Sequence, residues 1–358
     1  MSALPAQPVW NVAAVERLAH EVGGVVRVDA CGPGIDVGAA ILPDGDFLAP
    51  LPDLGIIGAS GEAAAAFLHG QLTNDVEHLA PGMAHWAGYC SAKGRLLSTM
   101  RYWRDEQTIW LTSARPLAQG LTKRLSMYVL RAKAKVTDQS DAFAVFGLCG
   151  ASLGLLAATT LALRMPGPDE ASSSGAAHLV GLPGLPQANG TVRPRCLLVV
   201  AADQAGQIWQ TLQAAGTPVA SEVWRRTEVL CAIPRIVQGS YEQFVPQMIN
   251  FESVDGVNFR KGCYPGQEIV ARSQYLGKLK RRMFLASGRG DVPEPGSDIV
   301  ADAGGEPCGQ VVLAASDGAG GFDVLFESQL AAIEAGGVRA GPIPLTLGNL
   351  PYPLKAID

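Results

Sequence analysis

The chain has 358 residues, of which 48% are hydrophobic and 17% charged, and this composition excludes a disordered chain and allows two or three packed domains. The net charge of −5 excludes a surface that attracts nucleic acid as a whole, so any RNA contact needs a local basic patch. The 42 glycines and 24 prolines indicate many turns and a substantial β content.

The first part of the chain predicts alternating strands and helices. Strands are expected at 55–58, 84–90, 96–104, 108–112, 132–137 and 142–148, and helices at 61–72 and 115–130. This order is typical of a split βαβ, ferredoxin-like layer. The uncharged stretch 142–163 is long enough to cross a bilayer, but its glycines favour a buried strand and a buried helix that starts near Gly150.

The second part predicts another α+β unit and a barrel. Residues 166–194 are rich in Pro, Gly and Ser, which predicts a surface loop or insertion. A strand is expected at 195–201 and helices at 205–215 and 221–232. From Arg281 onward, short apolar runs between glycine-rich turns predict a small C-terminal β-barrel.

Targeting and metal signals are weak. The first ten residues lack the basic and apolar regions of a secretory signal, so we expect a cytoplasmic protein with no membrane partner. The seven cysteines are widely spaced without a C-x-x-C pair, and the five histidines lack metal-ligand spacing. We therefore predict no disulfide framework and no metal site.

The segment 244–282, FVPQMINFESVDGVNFRKGCYPGQEIVARSQYLGKLKRR, carries the clearest chemical signal. Gly262 and Gly266 bracket Cys263, which permits a tight turn that leaves the thiol exposed. Basic neighbours, Lys261 among them, favour a thiolate, so Cys263 is a candidate reactive cysteine. The alternative is a tight turn around a buried structural cysteine.

These residues closely resemble the signature of the YgfZ family, relatives of GcvT, the aminomethyltransferase of the glycine cleavage system. The resemblance rests mainly on FVPQMIN and KGCYPGQEIVAR. It extends more weakly to HGQLTNDV (69–76), to CSAKGRLLS (90–98) and to WRRTEVLCAIPRI (224–236). The C-terminal part is similar to the barrel of the family.

The resemblance implies an α+β fold of three domains arranged as a ring, with a central hole that binds folate. In this arrangement, 1–50 and 140–272 form a discontinuous α+β domain that carries KGCYPGQE. Residues 51–139 form an inserted ferredoxin-like α+β domain, and 275–358 form the C-terminal β-barrel.

The resemblance also implies tetrahydrofolate or another reduced folate as cofactor, and a role in iron–sulfur cluster assembly or repair that affects tRNA modification. Partners would be cluster assembly factors or client enzymes, and the basic run 278–282 is a weaker candidate for tRNA contact. Cys263 and Lys261 are expected to carry any catalysis. The expected folate-binding residues are Asn74, Gln247, Asn250, Gly262, Tyr264, Gly266, Gln267, Glu268 and Arg272.

The resemblance to GcvT fails where that enzyme has its chemistry. Its hairpin carries Gly-Gly-x-x-Asp-Asp, whereas 94–99 reads GRLLST, and neither Ser98 nor Thr99 supplies a carboxylate. The glutamate by which GcvT recognises the pterin corresponds to Leu230, and Glu228 would point to another face of the helix. An accessory protein is therefore favoured over an aminomethyltransferase-like one-carbon transferase or a pure RNA-binding module, and whether the chain is an enzyme stays open.

Overall fold

The computed structural model describes residues 9–275, 279–302 and 305–355. The chain divides into two compact units, each assembled from three stretches of sequence. The first unit comprises Met1–Phe67, His78–His85 and Arg101–Trp224, and the second comprises Leu68–Glu77, Trp86–Met100 and Arg225–Asp358. The three-domain division expected from the resemblance stays a prediction.

The elements confirm the α+β class. Within the described ranges, the helices are α1 (Val12–Val22), α2 (Ala64–His69), α3 (Arg115–Val129), α4 (Ala151–Thr160), α5 (Ala205–Gln213), α6 (Ser221–Leu230), α7 (Gln267–Tyr275) and α8 (Leu330–Ala335). The strands are β1 (Val25–Asp29), β2 (Gly32–Asp36), β3 (Phe47–Pro50), β4 (Leu54–Ser60), β5 (Ala84–Cys90), β6 (Leu96–Arg104), β7 (Thr108–Ala114), β8 (Lys135–Asp138), β9 (Phe143–Cys149), β10 (Ala171–Ser174), β11 (Ala177–Pro186), β12 (Val192–Ala201), β13 (Thr217–Pro218), β14 (Arg281–Arg289), β15 (Asp298–Ala301), β16 (Pro307–Ser316), β17 (Gly321–Gln329), β18 (Val338–Ala340), β19 (Ile343–Pro344) and β20 (Thr346–Leu347).

The first unit contains a six-stranded sheet of order β10-β11-β12-β9-β3-β13. Its two central strands, β9 and β12, are apolar along most of their length because both faces are covered. Helices α1, α4 and α5 contribute to a core that includes Leu48, Phe146, Leu198 and Trp209. In the same unit, β4 pairs with β7 and with β8, both antiparallel.

The uncharged stretch 142–163 is the strand β9 followed by the helix α4, as predicted, and no helix within the described residues is long and apolar enough to cross a bilayer. The predicted loop at 166–194 is wrong, because β10, β11 and the start of β12 occupy most of it. Leu179, Val180 and Leu185 bury their side chains there, and this pairing in the sheet outweighs the turn-forming composition.

The second unit contains the predicted C-terminal barrel. Its seven-stranded sheet has the order β19-β18-β15-β16-β17-β14-β20 and is nearly closed. Phe322, Val324 and Phe326 alternate inward along β17 and form its core with Val311 and Ala286. The hairpin of β5 and β6 supplies Trp86–Met100 to the same unit.

Two of the four cations in the basic run at 278–282 pair with buried carboxylates. Arg281 pairs with the buried Glu327, and Arg282 pairs with the buried Glu252. Lys280 is exposed, while Lys278 lies outside the described residues. The described arginines therefore serve as ion-pair partners of buried carboxylates, and tRNA contact at this run stays a prediction that rests on its lysines.

We expect Arg282→Met to destabilise the chain by about 3–5 kcal/mol, because it leaves the Glu252 carboxylate buried without its cation. Urea unfolding measures the loss. The double variant Arg282→Met/Glu252→Gln should recover part of it, and Lys280→Met, at an exposed position, should be close to neutral. Equal stability of the Arg282 and Lys280 variants would contradict the structural role of this pair.

Candidate functional site

The KGCYPGQE segment lies in the second unit against the turn that joins β5 and β6. Gly266 has φ +80°, and a Cβ atom there would approach both the N and the Cα of Gly94 to 2.6 Å, and the carbonyl oxygen of Ser91 more closely still. Gly94 has φ +68°, and its Cβ would lie 2.8 Å from the Cβ of Ile269. Only glycine at both positions allows this approach of two backbones.

Cys263 projects from this segment into solvent. All seven cysteines lie within the described ranges; six are buried and Cys263 is exposed. Burial raises the pKa of Cys90 to about 12 and that of Cys196 to about 12, so those thiols stay protonated. The next residue, Tyr264, is buried, so it anchors the chain immediately beside the exposed thiol.

Lys261 ties the segment to the end of α2. Its ammonium group donates to the carbonyl oxygen of Leu72 at 2.7 Å and to that of His69, and it lies 5.0 Å from the centroid of the Tyr264 ring. A cation at the carboxyl end of a helix satisfies carbonyls that have no partner in the helix. Burial lowers the pKa of Lys261 to about 8, and the charges of Asp75 and Cys263 offset part of this effect.

A histidine that sequence reasoning missed also lies here. His69 Nδ1 is 2.9 Å from Asp75 Oδ1, and a Cβ on Gly262 would be 3.8 Å from His69 Nε2. An imidazole that donates Nδ1–H to a carboxylate carries its basic lone pair on Nε2. The sequence predicts a helix over 61–72, and a spacing of six residues does not bring His69 and Asp75 to one helix face, so the 69–76 resemblance was the one signal for the pair.

Asn74 is buried and fully engaged by the backbone around it. Its Nδ2 donates to the carbonyls of Trp86 and Asp255, each at 2.7 Å, and its Oδ1 accepts from the Asp75 amide at 2.8 Å. The adjacent Thr73 donates to the Gly256 carbonyl at 2.6 Å. These bonds join the stretch after α2 to the loop that leads into KGCYPGQE, so Asn74 acts here as a brace.

Gln247 and Asn250 are buried on the other side of the segment. Gln247 Nε2 donates to the carbonyl of Val270 in α7 at 2.8 Å, and Asn250 Nδ2 donates to the carbonyl of Met283 in β14 at 2.8 Å. Gln247 Oε1 has no hydrogen-bond partner among the described residues. These two amides hold α7 and β14 beside the 244–250 loop.

The remaining predicted residues include exposed polar groups. Glu268 and Arg272 are exposed on α7, and Gln267 is partly exposed at the start of that helix. Glu268 is in the first turn, where the helix dipole favours a carboxylate. Lys93, in the neighbouring turn, is exposed as well. The structure therefore brings an exposed thiol, carboxylate, amide and cations together in one unit.

The side chains that the sequence offers in place of the GcvT carboxylates are buried or make structural contacts here. Ser98 and Thr99 are buried, and the Thr99 hydroxyl accepts from the amide of Ile236 at 3.1 Å. Glu228 pairs with Arg235 at 3.1 Å. A cleft of about 540 Å³ lies in the first unit, and none of the predicted site residues lines it.

Comparison with known proteins identifies relatives that match most of the chain. No protein-family model matches it. It is 32% identical over 304 residues to the tRNA-modifying protein YgfZ of Edwardsiella ictaluri, which covers 83% of this chain and 89% of that protein. It is 28% identical to the tRNA-modifying protein YgfZ of Yersinia enterocolitica, over 86% of this chain and 92% of the relative.

A solved structure shares the fold. The glycine cleavage system aminomethyltransferase T from Bartonella henselae superposes with a TM-score of 0.71, covering 96% of this chain and 99% of that one. Its sequence identity is 12%, so the likeness establishes the fold alone.

We expect Gly266→Ala to destabilise the chain by about 2–4 kcal/mol for two reasons. The positive φ at this position is unfavourable for a residue with a side chain, and the added Cβ would clash with the 91–94 turn. Denaturant unfolding measures the loss, and the alkylation rate of Cys263 reports displacement of the segment. Gly262→Ala is the matched control: its Cβ meets nothing closer than 3.8 Å, so its stability should change by less than about 0.5 kcal/mol. Similar losses in both variants would contradict the packing described.

Lys261 gives a pH-dependent prediction. Its pKa of about 8 in the folded chain is below the ordinary lysine value of 10.5, so between these values the unfolded chain binds more protons. The cost of burying the charge is fully present below pH 8, and wild-type stability relative to Lys261→Met should rise as the pH increases from 8 to 10.5. Urea unfolding across this interval measures it. Lys261→Arg stays charged, so its stability relative to Lys261→Met should not rise over this interval. If the wild-type stability also fails to rise relative to Lys261→Met, the burial of the ammonium group is contradicted.

Proposed function

This chain belongs to the YgfZ family, and from that premise we propose that it is a reduced-folate-binding accessory protein for iron–sulfur cluster assembly or repair. The clients that fit the names of its relatives are cluster-dependent enzymes of tRNA modification. Because tRNA is modified where it is made and used, we assign the protein to the cytoplasm.

The observation that carries this proposal is the exposure of Cys263 beside the half-buried Lys261. A thiolate is the usual protein ligand of cluster iron, and a complete cluster site takes four such ligands. One exposed cysteine among the described residues supplies one ligand and leaves the others to a client or an assembly factor. This arrangement favours transfer or repair at a partner over permanent storage.

The side chains near Cys263 include the types of group that can bind a reduced folate. A pterin presents adjacent N–H groups that suit the exposed Glu268 and the Gln267 amide, while the carboxylates of the glutamate tail suit Lys93 and Arg272. In the proposal, Gly262, Gly266 and Tyr264 shape the segment. Asn74, Gln247 and Asn250 hold the loops around it.

A one-carbon transferase is less well supported by the same residues. Ser98 and Thr99 offer no carboxylate to assist attack by an amine on a folate-bound carbon, and both are buried. Glu228 is paired with Arg235. We therefore place the chemistry at the thiol rather than at the hairpin.

We expect Cys263→Ala to remain folded and to bind tetrahydrofolate, but to lower cluster-dependent tRNA modification in cells that depend on it. Calorimetric titration of tetrahydrofolate and mass spectrometry of tRNA nucleosides give the two measurements. Cys308→Ala, which removes a buried thiol, is the control and should support normal modification.

The two halves of the proposal can fail separately. Absence of tetrahydrofolate binding by the wild type would reject the cofactor, whereas wild-type tRNA modification with Cys263→Ala would reject the role of the thiol.

A further inference from the structure

A second feature of the chain lies in the first unit, in the acid-free stretch between Glu106 and Asp138. No Asp or Glu occurs in these 31 residues, which contain six cations: Arg115, Lys123, Arg124, Arg131, Lys133 and Lys135. Because the whole chain carries a net charge of −5, this stretch is a local exception to its acidic character.

The structure exposes four of these cations along α3 and β8. Lys123, Arg131, Lys133 and Lys135 are exposed, whereas Arg115 is buried and paired with Asp141. The hydroxyl of Ser126 donates to the carbonyl of Val136 at 3.3 Å, which places the carboxyl-terminal half of α3 beside β8. We call the surface formed by 123–135 the α3–β8 surface.

Among the described residues, one of the four cations has an ion-pair partner. Lys133 is 2.8 Å from Glu62, with side-chain exposures of 77% and 79%. An ion pair this exposed contributes little free energy, so a phosphate can compete for the lysine.

Large apolar side chains lie among these cations. Met127, Tyr128 and Leu130 are 60%, 51% and 86% exposed. Lys123 and Met127 are four residues apart on α3, so they share a face, and Arg131 lies just beyond the end of the helix at Val129. An exposed aromatic ring between cations suits a nucleotide chain, because the ring stacks on a base while the cations contact phosphates.

A membrane surface is a poorer fit. Lipid insertion needs a continuous apolar face, and the apolar residues of α3, Leu117, Leu121 and Leu125, are buried within the protein. The three exposed apolar residues, 127, 128 and 130, are confined to the helix end.

We propose that the α3–β8 surface binds a single-stranded loop of tRNA, with Tyr128 stacking on a base and Lys123, Arg131 and Lys135 contacting phosphates. The choice of tRNA rests on the proposed link to tRNA modification. The surface itself shares no residue with the segment that carries Cys263, so folate binding and thiol reactivity are independent of it.

The test is binding of a fluorescently labelled tRNA transcript, followed by anisotropy over a range of salt concentrations. The triple variant Lys123→Gln/Arg131→Gln/Lys135→Gln should bind roughly tenfold or more weakly at about 100 mM salt. It should also reduce the slope of log K against log salt by about 2. The triple variant Arg17→Gln/Arg27→Gln/Arg289→Gln loses the same charge from exposed positions elsewhere and should bind as the wild type does.

Tyr128 separates stacking from charge. Tyr128→Ala should weaken binding about fivefold or more at constant salt slope, while Tyr128→Phe should retain it, because phenylalanine keeps the aromatic face. All variants should keep the wild-type unfolding midpoint, tetrahydrofolate affinity and Cys263 alkylation rate.

Several results would overturn the inference. They are the absence of tRNA binding by the wild type, an equal loss in the control triple variant, or binding to phosphatidylserine vesicles in place of tRNA. None of them would reject the proposed role of Cys263 or the binding of folate.

Discussion

The proposed site depends on one close backbone contact, that of Gly266 with the 91–94 turn. Two glycines with positive φ face each other there, and neither has room for a side chain. The contact fixes where α7 begins and keeps Cys263 on an exposed bend instead of in the core. The Cys263 side chain is thus positioned by two glycines, and the precision of the position comes from steric exclusion.

Around this contact, polar groups hold the surrounding loops in place. Lys261 satisfies carbonyls at the end of α2, Asn74 bridges two loops, and Arg282 holds Glu252 beneath them. Each buried polar group costs desolvation energy that its hydrogen bonds must offset. Lys261 shows the balance directly, since the environment that binds its ammonium group also lowers its pKa. The same side chain therefore supports the loop and carries a proton that leaves near pH 8.

The sequence predicted local patterns well and long-range partners poorly. Strands 84–90 and 96–104 appear with the predicted bounds, because alternating and aromatic residues specify them locally. For 166–194 the composition predicts a loop and the structure has strands, because those strands are stabilised by their sheet partners rather than by their own composition. The exposed thiol followed from its glycines, whereas the His69–Asp75 pair and the backbone partners of Asn74 depend on contacts that only the fold creates. The roles of the predicted folate-binding residues stay predictions.

The distribution of the sulfur atoms has a consequence for chemical damage. Six thiols are shielded by packing, so a mild oxidant reaches Cys263 long before it reaches the core. Oxidation of the chain would then modify Cys263 first, while the fold persists. A sulfenic acid or mixed disulfide at an exposed position is also accessible to cellular reductants, so this oxidation can be reversed without unfolding the protein.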